Sequence, residues 1–188
     1  MEANDILHLR RPALRELLRQ GHAIDATALD DTEYRGIALG LPRIVELLTW
    51  KTFQKVFHRD PQSGVLRGWN VRLEQRGIDA ASVPRYRAGE PVTFGHYQVV
   101  NLPAAGVPWP CGAGLLIHYG LGGNRALDPI GRMRDPLVAL HPGSVELLLG
   151  WSYVDLGIAN VPTPSFFLLQ RERPLSHVAF PPRPAAVS

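Results

Sequence analysis

His96-Tyr97 and His118-Tyr119 each set an imidazole beside a phenol within an apolar run. Successive side chains of a strand point to opposite faces, so each pair sends one member inward. An inward histidine titrating near neutrality is a general acid or base; the plainer reading is a hydrogen-bonded wall residue or a solvent-facing one. Arg67 and Trp69 share a strand face with each other. A buried guanidinium beside an aromatic would hold a carboxylate or another polar oxygen of a guest. Pairing of Arg67 with Asp60 is the structural alternative.

The densest run of charge is Asp128-Pro129-Ile130-Gly131-Arg132-Met133-Arg134-Asp135. Loops at barrel mouths often carry function, and Asp128 with Arg132 could form a polar dyad there. The alternative is a solvated ion-pair loop of little energetic weight. Asp155 lies in an apolar stretch, Trp151 to Ile158, where burial would raise its pKa. The aromatic residues Trp50, Trp69, Trp109, Trp151, Tyr153, Phe166 and Phe167 offer a ligand-contacting wall or simply core.

Other chemistries lack their motifs. The seven histidines, at 8, 22, 58, 96, 118, 141 and 177, form no HxH or HExxH pattern, and Cys111 is the sole cysteine. No metal site or intrachain disulfide is expected from that set. GxSxG, GxGxxG and P-loop sequences are absent. Gly120-Leu121-Gly122-Gly123 is the nearest Gly-rich loop, but no helical pattern follows it to cradle a phosphate.

The elements that must position these residues are mostly short. Gly 18 and Pro 17 lie between apolar runs, as in a chain of many turns and strands. Pro12 to Gln20 reads as a helix, with Pro in its first turn and Gly21 beyond its end. Tyr34 to Leu41 reads as a strand. Apolar positions 44, 47 and 48, then 50, 53 and 57, predict the longest helix over 43–57, with Lys51 and Lys55 on its outer face. Asp60-Pro61-Gln62-Ser63-Gly64 is a turn, and Val65 to Glu74 alternates as a strand does. Further strands are predicted at 92–102, 113–121, 137–140, 145–151 and 165–171. His141-Pro142-Gly143-Ser144 is the turn of a hairpin.

These elements predict a mainly β fold, an antiparallel closed or nearly closed barrel with an N-terminal helix and one longer helix. Residues 1–33 form the N-terminal helix and loop, 34–173 the single barrel domain, and 174–188 a Pro-rich tail. A barrel of roughly eight strands has an interior just wide enough to fill with side chains or to hold one small ligand. Net charge is +3, with arginine spread along the chain rather than gathered in a patch, which gives nucleic acid no footprint. The N-terminus lacks a signal-peptide pattern, and no stretch approaches the roughly 18 apolar residues of a membrane span. A soluble, cytoplasmic domain is expected.

Tyr34-Arg35-Gly36-Ile37-Ala38-Leu39-Gly40, followed by Trp50-Lys51-Thr52-Phe53, resembles the start of the small bacterial GXWXG-type proteins, with Ile37 or Leu39 where that motif has its Trp. Leu149-Gly150-Trp151 through Phe166-Phe167-Leu168-Leu169 resembles the last strands of a calycin-type barrel. The resemblance implies a lipocalin-like barrel with a cavity, and no particular reaction.

The expected partner is a small hydrophobic or aromatic metabolite inside the barrel, with no cofactor, nucleic acid or membrane, and with a homodimer as one assembly state. Its ligand-binding residues would be Trp50, Arg67, Trp69, Tyr97, Tyr119, Arg132, Trp151 and Phe167. The alternative is a cofactor-independent isomerase, cyclase or hydro-lyase in the same pocket. In that case His118, Asp128 and Tyr153 move protons and Arg67 stabilises developing negative charge. Two further readings are a haem-binding barrel ligated by His118 or His141, and an interaction module that docks through the 43–57 helix.

Overall fold

The computed structural model describes residues 2–40 and 51–186. Its strands are β1 (Thr32–Leu39), β2 (Thr52–Arg59), β3 (Leu66–Arg72), the two-residue β4 (Tyr86–Arg87) and β5 (Glu90–Pro91), β6 (Thr93–Asn101), β7 (Leu115–His118), β8 (Met133–His141), β9 (Ser144–Asp155) and β10 (Asn160–Pro174). Eight of these close into a barrel in the order β1-β10-β9-β8-β7-β6-β3-β2, while β4 and β5 pair apart from it. Every barrel pairing is antiparallel. The barrel is therefore a meander that closes where β1 meets β10, from Thr32 opposite Pro174 to Leu39 opposite Phe166. Closure removes the exposed edges that an open sheet would leave.

Turn chemistry fixes the register. The carboxylate of Asp60 accepts from the amides of Gln62 and Ser63 at 3.0 Å each, and Gly64 takes the left-handed conformation, with φ of 72°, that returns the chain into β3. At the β8–β9 hairpin, His141 pairs with Ser144 across Pro142-Gly143, and Gly143 has φ of 71°. Proline then glycine is what a type II turn demands.

Part of the barrel interior is packed solid. Tyr34, Phe57, Tyr97 and Tyr119 meet edge to face in sequence, at centroid separations of 5.4, 5.9 and 5.5 Å. Leu29, Leu66, Ile117, Leu137 and Leu169 pack around them in one buried cluster. Three inward glycines make room for rings on the paired strand. Gly36 is opposite Phe53, Gly150 opposite Phe167, and Gly68 opposite Tyr97. A Cβ at Gly36 or Gly150 would collide with the ring facing it. Gly150→Ala is expected to lower stability by about 1–3 kcal/mol, the usual cost of overpacking. Urea denaturation measures it, and an unchanged midpoint would show that the ring moves freely.

The outer face is also covered. Helix α1 (Ala3–Leu7) and helix α2 (Arg11–Gln20) bury Ile6, Leu14 and Leu18 against Val138, Leu149 and Leu168. On another side, residues 175–186 have no regular structure yet run along the barrel. Arg67 Nη1 donates to the Ala179 carbonyl at 2.9 Å, and Gln98 Nε2 to that of Ala186 at 2.7 Å. Glu33, 3% exposed, gathers Arg173, Ser176 and Gln54 on one carboxylate beneath this segment.

The predicted helix over 43–57 requires correction. Residues 52–57 belong to strand β2, and 43–50 lie outside the described residues. Phe53 and Phe57 pack with the interior cluster, Lys55 lines the interior cavity, and Val56 packs outward with Trp69. A lysine between two inward aromatics breaks the apolar period of two, so the aromatic spacing imitates a helix. Lys55 is 1% exposed and so does not occupy the predicted outer face.

Candidate functional site

Beyond the aromatic stack the barrel interior opens into a cavity of ≈ 240 Å³. Its apolar wall includes Phe53 of β2, Phe94 of β6, Phe166 and Phe167 of β10, and Ile130. Its polar lining is Lys55, Asn70, Tyr119, Asp135, Ser152 and Ser165. Phe53 and Phe167 meet edge to face at 6.1 Å. Ile130 is carried by the 3-10 turn Pro129–Arg132, whose start is capped by the Asp128 carboxylate accepting from the Ile130 amide at 3.1 Å.

Three ionisable groups from separate elements meet here. Lys55 Nζ donates to Tyr119 Oη at 2.9 Å, Tyr119 Oη donates to Asp135 Oδ2 at 2.9 Å, and Lys55 Nζ lies 3.8 Å from that same oxygen. Asp135 Oδ1 is buried without a hydrogen-bond partner. Tyr119 is held from behind: Asn124 Nδ2 donates to the carbonyls of Tyr119 and His96, at 2.8 and 2.7 Å. Asn70 Nδ2 donates to the Gly95 carbonyl at 3.1 Å.

Burial dominates the electrostatics. It drives the Lys55 amine down to about 8, against the pull of Asp135. It raises the Asp135 carboxyl above the ordinary carboxylate range, opposed by Lys55, and it lifts the Tyr119 and Tyr97 phenols well above 10. The ammonium lies 4.7 Å from the Tyr97 ring centre and 5.2 Å from those of Tyr119 and Phe167. Aromatic faces stabilise a cation there in place of water. The result is an amine, a phenol and a carboxyl within one hydrogen-bonded chain, each biased toward its neutral form.

Of the residues singled out from sequence, Tyr119 and Phe167 line the cavity, and Tyr97 packs beneath Lys55 with its hydroxyl donating to the Val56 carbonyl at 2.7 Å. Trp69 lies on the outside with Val56 and Ala179, and Arg67 joins it there, 3.4 Å from Asp60. Trp151 and Tyr153 pack in the outer cluster beneath α2. Asp128 and Arg132 line a separate surface groove. Trp50 lies outside the described residues.

His118 and Tyr153 do converge, through Arg134, but outside the barrel. His118 is opposite Arg134, and Arg134 opposite Tyr153, while Arg134 binds Asp155 at 3.1 Å. Burial, helped by Arg134, lowers the His118 pKa, and burial raises that of Tyr153. His141 sits at the β8–β9 turn.

Lys55 and Asp135 are the site residues that motif reasoning missed. The available signal was parity. Once Ile117 is placed inside, Tyr119 follows and His118 is turned out; once Leu137 is inside, so is Asp135.

The architecture is a closed eight-stranded antiparallel barrel, consistent with a lipocalin- or calycin-like fold, with an ionisable cluster in its interior. No known family model, curated protein or solved structure gives a significant match to the chain. Among the described residues, no helix is long and apolar enough to cross a membrane, and no group of three or more His, Cys, Asp or Glu is placed to hold a metal ion.

Proposed function

We propose that this barrel binds a small hydrophobic or aromatic metabolite bearing one polar group, in the manner of the GXWXG-type lipocalin-like proteins that its sequence resembles. The observation that carries the reading is the cavity of ≈ 240 Å³ with aromatic walls and a buried amine, phenol and carboxyl in its lining. Few, well-placed polar groups in an apolar pocket are the usual makeup of a small-molecule site. Size narrows the guest. An apolar cavity of about 150 Å³ accepts benzene, and drug-sized ligands occupy roughly 300–1,000 Å³. A single substituted ring fits between those bounds. No histidine among the described lining residues is available to ligate a haem.

Calorimetric titration with monosubstituted benzenes tests the reading. One-to-one saturable binding is expected, and Ala38→Leu, which extends a lining residue into the cavity, is expected to weaken it at least tenfold without unfolding the barrel. Failure of the whole probe series to bind would overturn the reading, as would undiminished binding by the folded variant.

A cofactor-independent enzyme is the second reading. The observation favouring it is the Lys55–Tyr119–Asp135 chain, because coupled groups with shifted pKa values concentrate where protons are transferred. In that case these three residues take the roles first assigned to His118, Asp128 and Tyr153.

A further inference from the structure

Lys51 and Lys55 are the only lysines in this chain, against a combined Lys and Arg count of 20. Ion pairs outside the cavity, such as Arg59–Asp30 and Arg173–Glu33, use arginine. A guanidinium remains protonated in proteins, whereas a lysine amine can shed its proton when buried and become a nucleophile. Lys51 is exposed, whereas Lys55 places its amine where arginine would be chemically inert, in the wall of a cavity and beside a phenol and a carboxyl.

We propose that the cavity takes a small aromatic aldehyde or ketone and holds it as a reversible imine on Lys55 Nζ. This rests on the reading of the cavity as a guest site and names the class of guest. Neutral Lys55 Nζ attacks the carbonyl carbon, a C–N bond forms, and the carbonyl π pair moves onto oxygen. One amine proton transfers to that oxygen to give the carbinolamine. A second proton reaches the oxygen from the Asp135 carboxyl through Tyr119, the oxygen departs as water while the nitrogen lone pair forms the C=N bond, and the N–H proton of the resulting iminium returns to Asp135. The net change is carbonyl plus amine to imine plus water, with no oxidant or reductant.

The neighbouring groups fit each stage. Burial keeps a share of the amine neutral near physiological pH, with its pKa at about 8. Tyr119 and Asp135 form a hydrogen-bonded route for the protons that must leave the nitrogen and reach the oxygen. A protonated imine inherits the counter-charge of Asp135 and the faces of Tyr97, Tyr119 and Phe167 that surround Nζ. Asp135 Oδ1, buried and unpartnered, is free to accept a hydrogen bond from the departing water.

Reductive trapping tests this directly. The full-length protein is incubated with benzaldehyde and cyanoborohydride and followed by intact mass, with toluene binding measured in parallel by calorimetry. The expected result is one benzylamine adduct per chain, located at Lys55 by peptide mapping, suppressed by excess toluene and retained in Lys51→Arg. Lys55→Arg should lose the adduct. Should that variant fail to fold, the position of the adduct in the unaltered protein decides the matter. Toluene binding without an adduct, or an adduct confined to Lys51 or the N-terminal amine, overturns the imine and leaves the guest site standing. Absence of both toluene binding and adduct overturns the two together.

Discussion

Lys55→Met is expected to destabilise the barrel by about 3–5 kcal/mol, while Lys55→Met combined with Asp135→Leu is expected to recover most or all of that loss. Both side chains are at most 4% exposed. Two charges withdrawn from water repay their desolvation only through each other, so removing one strands its partner. Asp135 suffers most, because one of its oxygens already lacks a partner. Replacing both removes the charges and leaves apolar bulk among Phe53, Phe167 and Tyr97. Urea denaturation at neutral pH measures both variants. A single variant within 1 kcal/mol of the parent would show that the pair carries little energy.

The pH dependence gives a second readout. The unfolded amine titrates near its ordinary 10.5, and the buried amine at about 8. Between these values the unfolded chain holds a proton that the folded chain has released, so stability rises with pH. Tyr97 and Tyr119 oppose the rise above 10, where burial keeps them protonated and unfolding lets them ionise. Asp135 acts at lower pH with the opposite slope: burial raises its pKa, so stability falls as pH climbs from the acid range. Lys55→Met should flatten the rise from pH 8 toward 10.

Much of the barrel was legible because its turns are chemically explicit. Asp60 through Gly64 and Pro142-Gly143 punctuate the chain where the structure turns. The facing of the strands was not legible, and this follows from the sheath. An antiparallel sheet with one wet face alternates apolar and polar residues. Here α1, α2 and the 175–186 segment cover much of the outside, so Leu147, Leu149 and Trp151 are as apolar as the inward Leu148. Composition alone cannot then say which aromatics form the inner wall. The same covering made Trp69, Trp151 and Tyr153 look like pocket residues. Conversely, the polar groups that mark the cavity lie where an apolar residue would be expected. Lys55 between Phe53 and Phe57 imitated an exposed helical position, and Asp135 was absorbed into the charged run that begins at Asp128.

Trp151→Ala is expected to cost about 3–5 kcal/mol and yet to leave guest affinity of the folded protein unchanged. Trp151 is 0% exposed, and its indole donates to the Thr163 carbonyl at 2.8 Å. It stacks on Trp109, with centroids 4.1 Å apart and planes 18° apart, and the guanidinium carbon of Arg15, on α2, lies 3.6 Å from the Trp109 ring centre. The Trp151 ring therefore ties β9 to the loop bearing Trp109 and, through Trp109, to the N-terminal helix. Its removal opens a cavity between barrel and sheath and frees the Thr163 acceptor. The loss should appear in urea denaturation, together with faster amide exchange over Arg11–Gln20. Trp151→Phe should fall between the variant and the parent, since it keeps stacking and loses the hydrogen bond. Because the indole does not line the interior cavity and meets its wall only at Phe166, 6.5 Å away between ring centres, calorimetry of the folded variant with a substituted benzene should give the parental affinity. A large loss of affinity at full folding would mean that the outer cluster and the interior are coupled across the sheet, so that the sheath helps to set the shape of the pocket.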